Sequence, residues 1–154
     1  MRAVEPWVET PLTEFLRESS AHLVLLMTSS GQVVAQHGFA RSVDVMGCAS
    51  LGAAISASTA EIAKIMGVGS LGQVVHQGGT RRVLLGSFPM RHGGNWLGLI
   101  VFGDDTSIGV VQVFFARLAN ALHRAAPVAR ESRQILAEQF EDELNASLRS
   151  LFGR

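Results

Sequence analysis

The chain has little of what several classes of protein require. Cys48 is the single cysteine among 154 residues, so no disulfide can form within the chain. Thirteen basic residues balance thirteen acidic ones without a long basic run, so nucleic acid is not an expected partner. The longest apolar runs, 23–27 and 97–102, have the length of strands, so we expect no direct membrane insertion.

The composition favours a globular protein inside the cell. Apolar residues make up 47% of the chain and charged residues 17%, a balance that suits a chain that buries area in an oligomer. Glu5, Glu9 and Glu14 occupy the region where a secretory signal would need a basic start and an apolar run. We therefore expect the protein in the cytoplasm.

Periodicity and turn residues predict an α+β fold. A helix capped by Thr10 and Pro11 runs to 19, strands over 22–27 and 32–37 form a hairpin, and a long helix covers 43–66. Strands over 73–77, 81–90 and 96–102 form a meander, and a helix follows the candidate caps at 104–107. One five-stranded antiparallel sheet flanked by helices is the simplest assembly.

The C-terminal segment has a pattern of its own. Residues 1–126 form the predicted domain, and 127–154 form an amphipathic helical extension after Pro127, which breaks the preceding helix. The apolar stripe of this extension consists of Leu136, Phe140, Leu144, Leu148 and Leu151. Because a lone helix of this length is marginal in water, we expect the stripe to dock on the dimer's own surface or on a partner.

The long helix separates its large residues from its small ones. Leu51, Ile55, Ile62 and Ile65 recur at helical spacing, and we expect this stripe to pack against the sheet. A second side is formed by small residues followed by two charged ones: Ala53, Ala57, Ala60, Glu61 and Lys64. Small side chains let another backbone approach closely, so this side is the candidate partner-binding surface. The alternative is a solvent-exposed side made of good helix formers.

No group of residues points to catalysis. Residues 67–72 match the glycine pattern of dinucleotide-binding proteins, but the predicted helix precedes them and the strand follows, the reverse of the required order. The five histidines lack the spacing of metal ligands. Asp104 and Asp105 are explained as charges near a helix N-terminus. We therefore expect an interaction protein with no catalytic centre, no metal and no cofactor.

With this order of elements, the chain resembles the roadblock/dynein light-chain family over residues 12–122. The residues that carry the likeness are Leu16-Arg17-Glu18, Ala63-Lys64, Val75-His76-Gln77-Gly78 and the segment from Phe102 to Ile108-Gly109. The resemblance implies an α-ββ-α-βββ-α fold and a homodimer in which two sheets join edge to edge beside paired long helices. The expected dimer contacts are Gln73, Val75, Gln77 and Ala54.

The resemblance also implies a function. Family members are platforms for small GTPases, so we expect a homodimeric regulator or activator of a bacterial Ras-like GTPase of the MglA type. Such a regulator reorganises the GTPase's own catalytic residues, and Arg81, Arg82 and Arg91 are not expected to act as arginine fingers. Glu61 is a charged residue on a side of the helix whose other residues are mostly small. The alternatives are a scaffold dimer for a small GTPase or motor, and a module that senses a small ligand.

Overall fold

The computed structural model describes residues 5–39, 43–69, 71–92, 94–127 and 129–152, without the side chains of 129–139. Its elements are α1 (Pro6–Ser19), β1 (Leu23–Thr28), β2 (Val33–Gly38), α2 (Val45–Met66), β3 (Val74–Gln77), β4 (Arg82–Pro89), β5 (Asn95–Phe102), α3 (Ile108–Ala125) and α4 (Ala129–Phe152). This order confirms the predicted α+β fold class with its C-terminal helix.

The five strands form one antiparallel sheet in the order β2-β1-β5-β4-β3. Because side chains alternate along a strand, each central strand contributes to two cores. Leu26 and Ile100 belong to the core on one face, whereas Leu25 and Leu99 belong to the core on the other. The sheet therefore has two apolar faces, and both need a cover.

The helices α1 and α3 cover the first face. Leu12 of α1 and Leu122 of α3 are buried in the same core. Phe115 of α3 rests on Gly86 and Gly98, which pair across β4 and β5. A side-chain carbon at Gly98 would approach the Phe115 Cε2 atom to 2.5 Å. The two glycines therefore leave the space that the aromatic ring fills.

The helix α1 begins earlier than the sequence predicted. Pro6 lies in the first turn, where its missing N–H costs no helical hydrogen bond. Pro11 lies inside the helix, so the predicted cap at Thr10 is wrong. Burial of Val8 in the core beside α3 favours the extra turn, because tertiary packing supplies most of the stability of a helix.

The helix α2 covers the second face. The Asp44 side chain accepts a hydrogen bond from the Gly47 N–H at 3.1 Å, and Gly67, with φ 70°, ends the helix. By length and composition alone, this helix could cross a membrane. In this fold, one side of it lies on the sheet.

The last two helices follow the predicted signals. Ser107 caps α3 and accepts a hydrogen bond from the Val110 N–H at 3.3 Å, as expected for one of the candidate caps. α4 follows after Pro127, and its residues Phe140, Leu144 and Leu148 are exposed. The predicted docking residue Leu136 lies outside the described side chains. The division into a domain and an extension stays a prediction.

Candidate protein–protein interface

Small residues attach α2 to the sheet. Ala49, Gly52 and Ala63 are the buried residues of this helix. A side-chain carbon at Gly52 would lie 3.5 Å from the sulfur of Met27 and 3.5 Å from a methyl carbon of Leu85. The helix backbone therefore lies close above large sheet residues. The expectation that the aliphatic stripe packs against the sheet is wrong for Leu51, Ile62 and Ile65, which are exposed; of the four residues, only Ile55 packs against this core.

The cause of this reversal is the volume that the strands already place on this face. The side chains that meet α2 there are Leu25, Met27, Leu85, Leu97 and Leu99. Protein interiors are close-packed, so a helix above such a layer fits best with small residues on its inner side. Periodicity identified two sides of α2, but the side chains opposite the helix decide which side is buried.

The large residues of α2 lie on an outer flank. We call Leu51, Ile55, Ile62 and Ile65 the aliphatic flank. Leu51 is 67% exposed and Ile65 is 85% exposed, whereas Ile55 is half-buried. The predicted dimer residue Ala54 follows Leu51 by three positions and shares this side of the helix. Exposed apolar side chains grouped in this way are typical of a surface that binds another protein.

The small residues of the opposite flank line a groove of about 480 Å³, which we call the α2 groove. Its helical wall contains Ala53, Ala57, Ala60 and Lys64. The other walls are formed by residues that follow the helix and by sheet residues, including Val68, Leu71, Val74, Leu85 and Leu97. Four of the five predicted partner-binding residues therefore meet at one surface.

Glu61, the fifth predicted partner-binding residue, lies beside the groove and is not part of its lining. Its Oε1 atom is 3.0 Å from the Nζ atom of Lys64, and both side chains are exposed. An exposed pair of this kind contributes less than about 1 kcal/mol to folding. Its main effect is to place one negative and one positive charge at the border of the α2 groove.

The strand β3 forms one edge of the sheet and contributes Val74 to the same groove. It pairs with β4 on one side, and within the described residues no strand pairs with its other side. Of the residues predicted at the dimer interface, Gln73 precedes the strand and is exposed. Val75 is half-buried, and Gln77 is exposed. The free edge and the α2 groove are therefore neighbours.

Sequence reasoning missed Val68 and Leu71, which follow the end of α2. Both are exposed large apolar residues, and both line the α2 groove. In the sequence they stand out only as members of the glycine pattern over residues 67–72. Because turns are usually built from polar residues, glycine and proline, two apolar side chains beside Gly69 were a usable signal of an interaction surface.

An arginine–aspartate ion pair and a histidine–aspartate contact hold the loop between β5 and α3. Asp104 Oδ1 lies 3.3 Å from Arg82 Nη2, and Asp105 Oδ1 lies 3.0 Å from His22 Nε2. The Arg82 guanidinium also lies 5.9 Å from the centre of the Phe102 ring. Sequence spacing could not show these pairs, because His22 and Asp105 are 83 residues apart. The two carboxylates therefore fix the loop in addition to lying near a helix N-terminus.

Other candidate sites are few in the described parts of the chain. Among these residues, no group of three or more His, Cys, Asp or Glu side chains could hold a metal ion. Cys48 has a free, half-buried thiol. A second groove of about 390 Å³ lies on the opposite face of the sheet, between α1 and α3.

Solved structures with the same arrangement of helices and strands include the gliding protein MglB from Thermus thermophilus. Its TM-score is 0.70 at 27% identity, over 82% of this chain and 93% of that chain. A structure described as MglB with tetrameric arrangement has a TM-score of 0.70 and 28% identity, over 82% of this chain and 92% of that chain. A Roadblock/LC7 domain from Streptomyces avermitilis has a TM-score of 0.64 and 14% identity, over 79% and 97% respectively. The chain has the roadblock fold and is similar in structure to MglB.

No protein-family model and no curated protein matches the chain by sequence. The family resemblance predicted from the order of its elements is nevertheless confirmed by the structural matches. In this MglB-like fold, α2, which covers the second face of the sheet, also carries the aliphatic flank and lines the α2 groove.

Proposed function

We propose that this MglB-like roadblock protein is a homodimeric regulator of a Ras-like small GTPase of the MglA type. The observation that carries the proposal is the outer surface of α2, which has an exposed aliphatic flank on one side and the α2 groove on the other. A single protomer leaves both surfaces in water. A second copy and a GTPase are the two partners that would cover them.

The aliphatic flank is proposed to pack on the same flank of a second copy. Burying an exposed leucine or isoleucine contributes roughly 1.5–3 kcal/mol, so Leu51, Ile62 and Ile65 can supply much of the free energy of association. Ala54 is small enough to let the two helices approach closely. The free edge of β3 would pair with the same edge of the second copy, which satisfies its unpaired N–H and C=O groups.

The α2 groove is proposed to receive the GTPase. The contact residues are Ala53, Ala57, Ala60, Glu61 and Lys64. Small side chains allow a segment of the partner to approach the helix backbone, and the two charges can orient it. The regulator would act by holding the GTPase's own catalytic residues in the hydrolytic arrangement. The ion pair between Arg82 and Asp104 supports a mechanism in which Arg82 does not act as an arginine finger.

Single-turnover GTP hydrolysis by the partner GTPase tests this proposal with Ala57→Arg and Ala116→Arg. Both alanines are exposed in helices, but Ala57 lines the α2 groove and Ala116 lies on α3, across the sheet. We expect Ala57→Arg to reduce the stimulation at least about tenfold, which corresponds to ~1.4 kcal/mol. Ala116→Arg should stimulate as the unmodified protein does.

Thermal melting establishes that both variants are folded. Full stimulation by folded Ala57→Arg would place the GTPase site elsewhere. A binding assay separates activation from scaffolding: a GTPase that binds the unmodified protein but hydrolyses GTP at its intrinsic rate would make this chain a scaffold and overturn the activating role.

A further inference from the structure

The C-terminal helix leaves its apolar stripe uncovered. Phe140 is 66% exposed and Leu144 is 48% exposed, and Leu148 and Leu151 continue the stripe. In proteins, most of the stability of a helix comes from packing its apolar side on another element. A helix with this stripe in water is therefore incomplete, and some surface must cover it.

The helix α3 carries a matching apolar strip on its outer side. Val110 and Val113 are exposed, and Phe114 is half-buried. Phe114 also lines the groove between α1 and α3, together with Arg117 and Ala121. The strip therefore continues into the groove, where the Arg117 guanidinium lies 5.1 Å from the centre of the Phe114 ring, and Val110 and Val113 are open to a helix that lies along α3.

An antiparallel arrangement of the two helices would bring the two strips into register. Only residues 126–128 connect them, a length that commonly joins antiparallel helices. Phe140 lies eleven residues after the first residue of α4, and Phe114 lies eleven residues before the last residue of α3. Leu144 and Val110 are each fifteen residues from the same two ends. Since both helices rise equally per residue, the members of each pair lie at the same height in an antiparallel pair.

The charges agree with this register. Glu141 follows Phe140, and in the antiparallel pair it would lie about one helical turn from the height of Arg117. Arg117 lies 3.7 Å from Glu18 of α1 and is still largely exposed, so its guanidinium can bind a second carboxylate. Exposed ion pairs are weak, so the apolar contacts would carry the stability and the charges would favour the orientation.

We propose that α4 folds back antiparallel on α3 of its own chain, with Phe140 against Phe114 and Leu144 against Val110. The exposed stripe in the structure is then the undocked form of this segment. When docked, α4 is a strap that covers the outer side of α3 and restricts access to the groove between α1 and α3. This inference depends only on α3 and α4 and stands independently of the proposed GTPase.

Disulfide trapping tests the register in the full-length chain with Cys48→Ala as background. The test variant combines Val110→Cys with Leu144→Cys, and the control combines Val110→Cys with Asn145→Cys. The two C-terminal positions lie at nearly the same height but about 100° apart around the helix. Because a disulfide needs Cβ atoms about 3.5–4.5 Å apart, we expect the test pair to close at least about fivefold faster.

Non-reducing gels and mass spectrometry identify the products. A disulfide within one chain, formed faster by the test pair, supports the proposal. Equal rates for the two pairs overturn the register. Disulfides mainly between chains overturn the intramolecular contact and indicate that α4 docks on a second copy.

Hydrogen exchange provides a second measurement that needs no added cysteine. Amide exchange over residues 140–152 is compared for the unmodified chain, Leu144→Asp and Asn145→Asp. We expect slow exchange in the unmodified chain and in Asn145→Asp, and at least about tenfold faster exchange in Leu144→Asp, because only that change breaks the apolar contact. Equal exchange in all three proteins would overturn the docked state.

Discussion

The two faces of the sheet differ in what completes them. On the face covered by α1 and α3, large residues from both layers meet, as Phe115 and Leu26 do in one core. On the other face, α2 meets the strands with Ala49 and Gly52 and keeps Leu51, Ile62 and Ile65 exposed. One face is completed within the protomer. The other leaves the aliphatic flank and the α2 groove exposed on the protomer.

The helices α3 and α2 also differ in how their apolar residues are distributed around the helix. α3 buries Val111, Phe115 and Leu122 on the side that meets the sheet. α2 is apolar on more than one side, with small residues inward and Leu51 and Ile65 outward. A helix that is apolar on several sides is buried on several sides in the functional state. For α2, the proposed second copy and GTPase would supply the second burial.

The largest expected difference between the two faces is in the loss of stability when a leucine is replaced by alanine. Leu122 is fully buried, so Leu122→Ala should lower the free energy of unfolding by about 2–5 kcal/mol. Leu51 is exposed, so Leu51→Ala should change the stability of the protomer by no more than about 0.5 kcal/mol. Denaturant unfolding, extrapolated to dilute protein to remove the contribution of dimerisation, measures both. Equal losses would contradict the difference between the faces.

Glycine-to-alanine changes test the same comparison at the level of the backbone. The added carbon at Gly98 would meet Phe115 at 2.5 Å, so Gly98→Ala should lower the free energy of unfolding by about 1–3 kcal/mol. At Gly52 the nearest atoms lie at 3.5 Å, an ordinary contact, and alanine favours the helix. Gly52→Ala should therefore raise that free energy by up to about 1 kcal/mol. Thermal unfolding gives the sign of each effect, and two effects of the same sign would refute this account.

A charge on the aliphatic flank should separate the protomers and leave each one folded. In the proposed dimer, Ile65→Asp would place a carboxylate in an apolar contact, so dimerisation should weaken at least about tenfold, or ~1.4 kcal/mol. Val113→Asp, at an exposed valine of α3, is the control and should dimerise normally. Light scattering at micromolar concentration measures the mass. A monomer for the unmodified protein under these conditions would reject the proposed dimer.

Most elements could be predicted because their signals are local. The turn at 28–31, the glycines after α2 and the cap at Ser107 all act within a few residues of the chain. The start of α1 was missed because two prolines offered two possible first turns. Burial of Val8 beside α3 decided between them, and that contact joins segments about a hundred residues apart in sequence.

The helical residues of the candidate site could be predicted from the sequence, but the contributions of other segments could not. Ala53, Ala57, Ala60 and Lys64 were grouped by helical spacing, and the structure places them along one groove. Their grouping depends only on the geometry of a helix. The contribution of Leu71 depends on how the chain turns after α2, and the pairing of His22 with Asp105 depends on strand order. Neither follows from local periodicity.

The sequence by itself determined the order of elements, the two-sided character of α2 and the apolar stripe of α4, because these depend on residue spacing along one segment. The tertiary structure alone decided which side of α2 is buried. Met27 and Leu85, from strands on either side of α2 in the sequence, fill the space beneath it, so the side of α2 that meets them carries small residues such as Ala49 and Gly52. Close packing between distant segments turned Leu51, Ile62 and Ile65 outward and left them exposed.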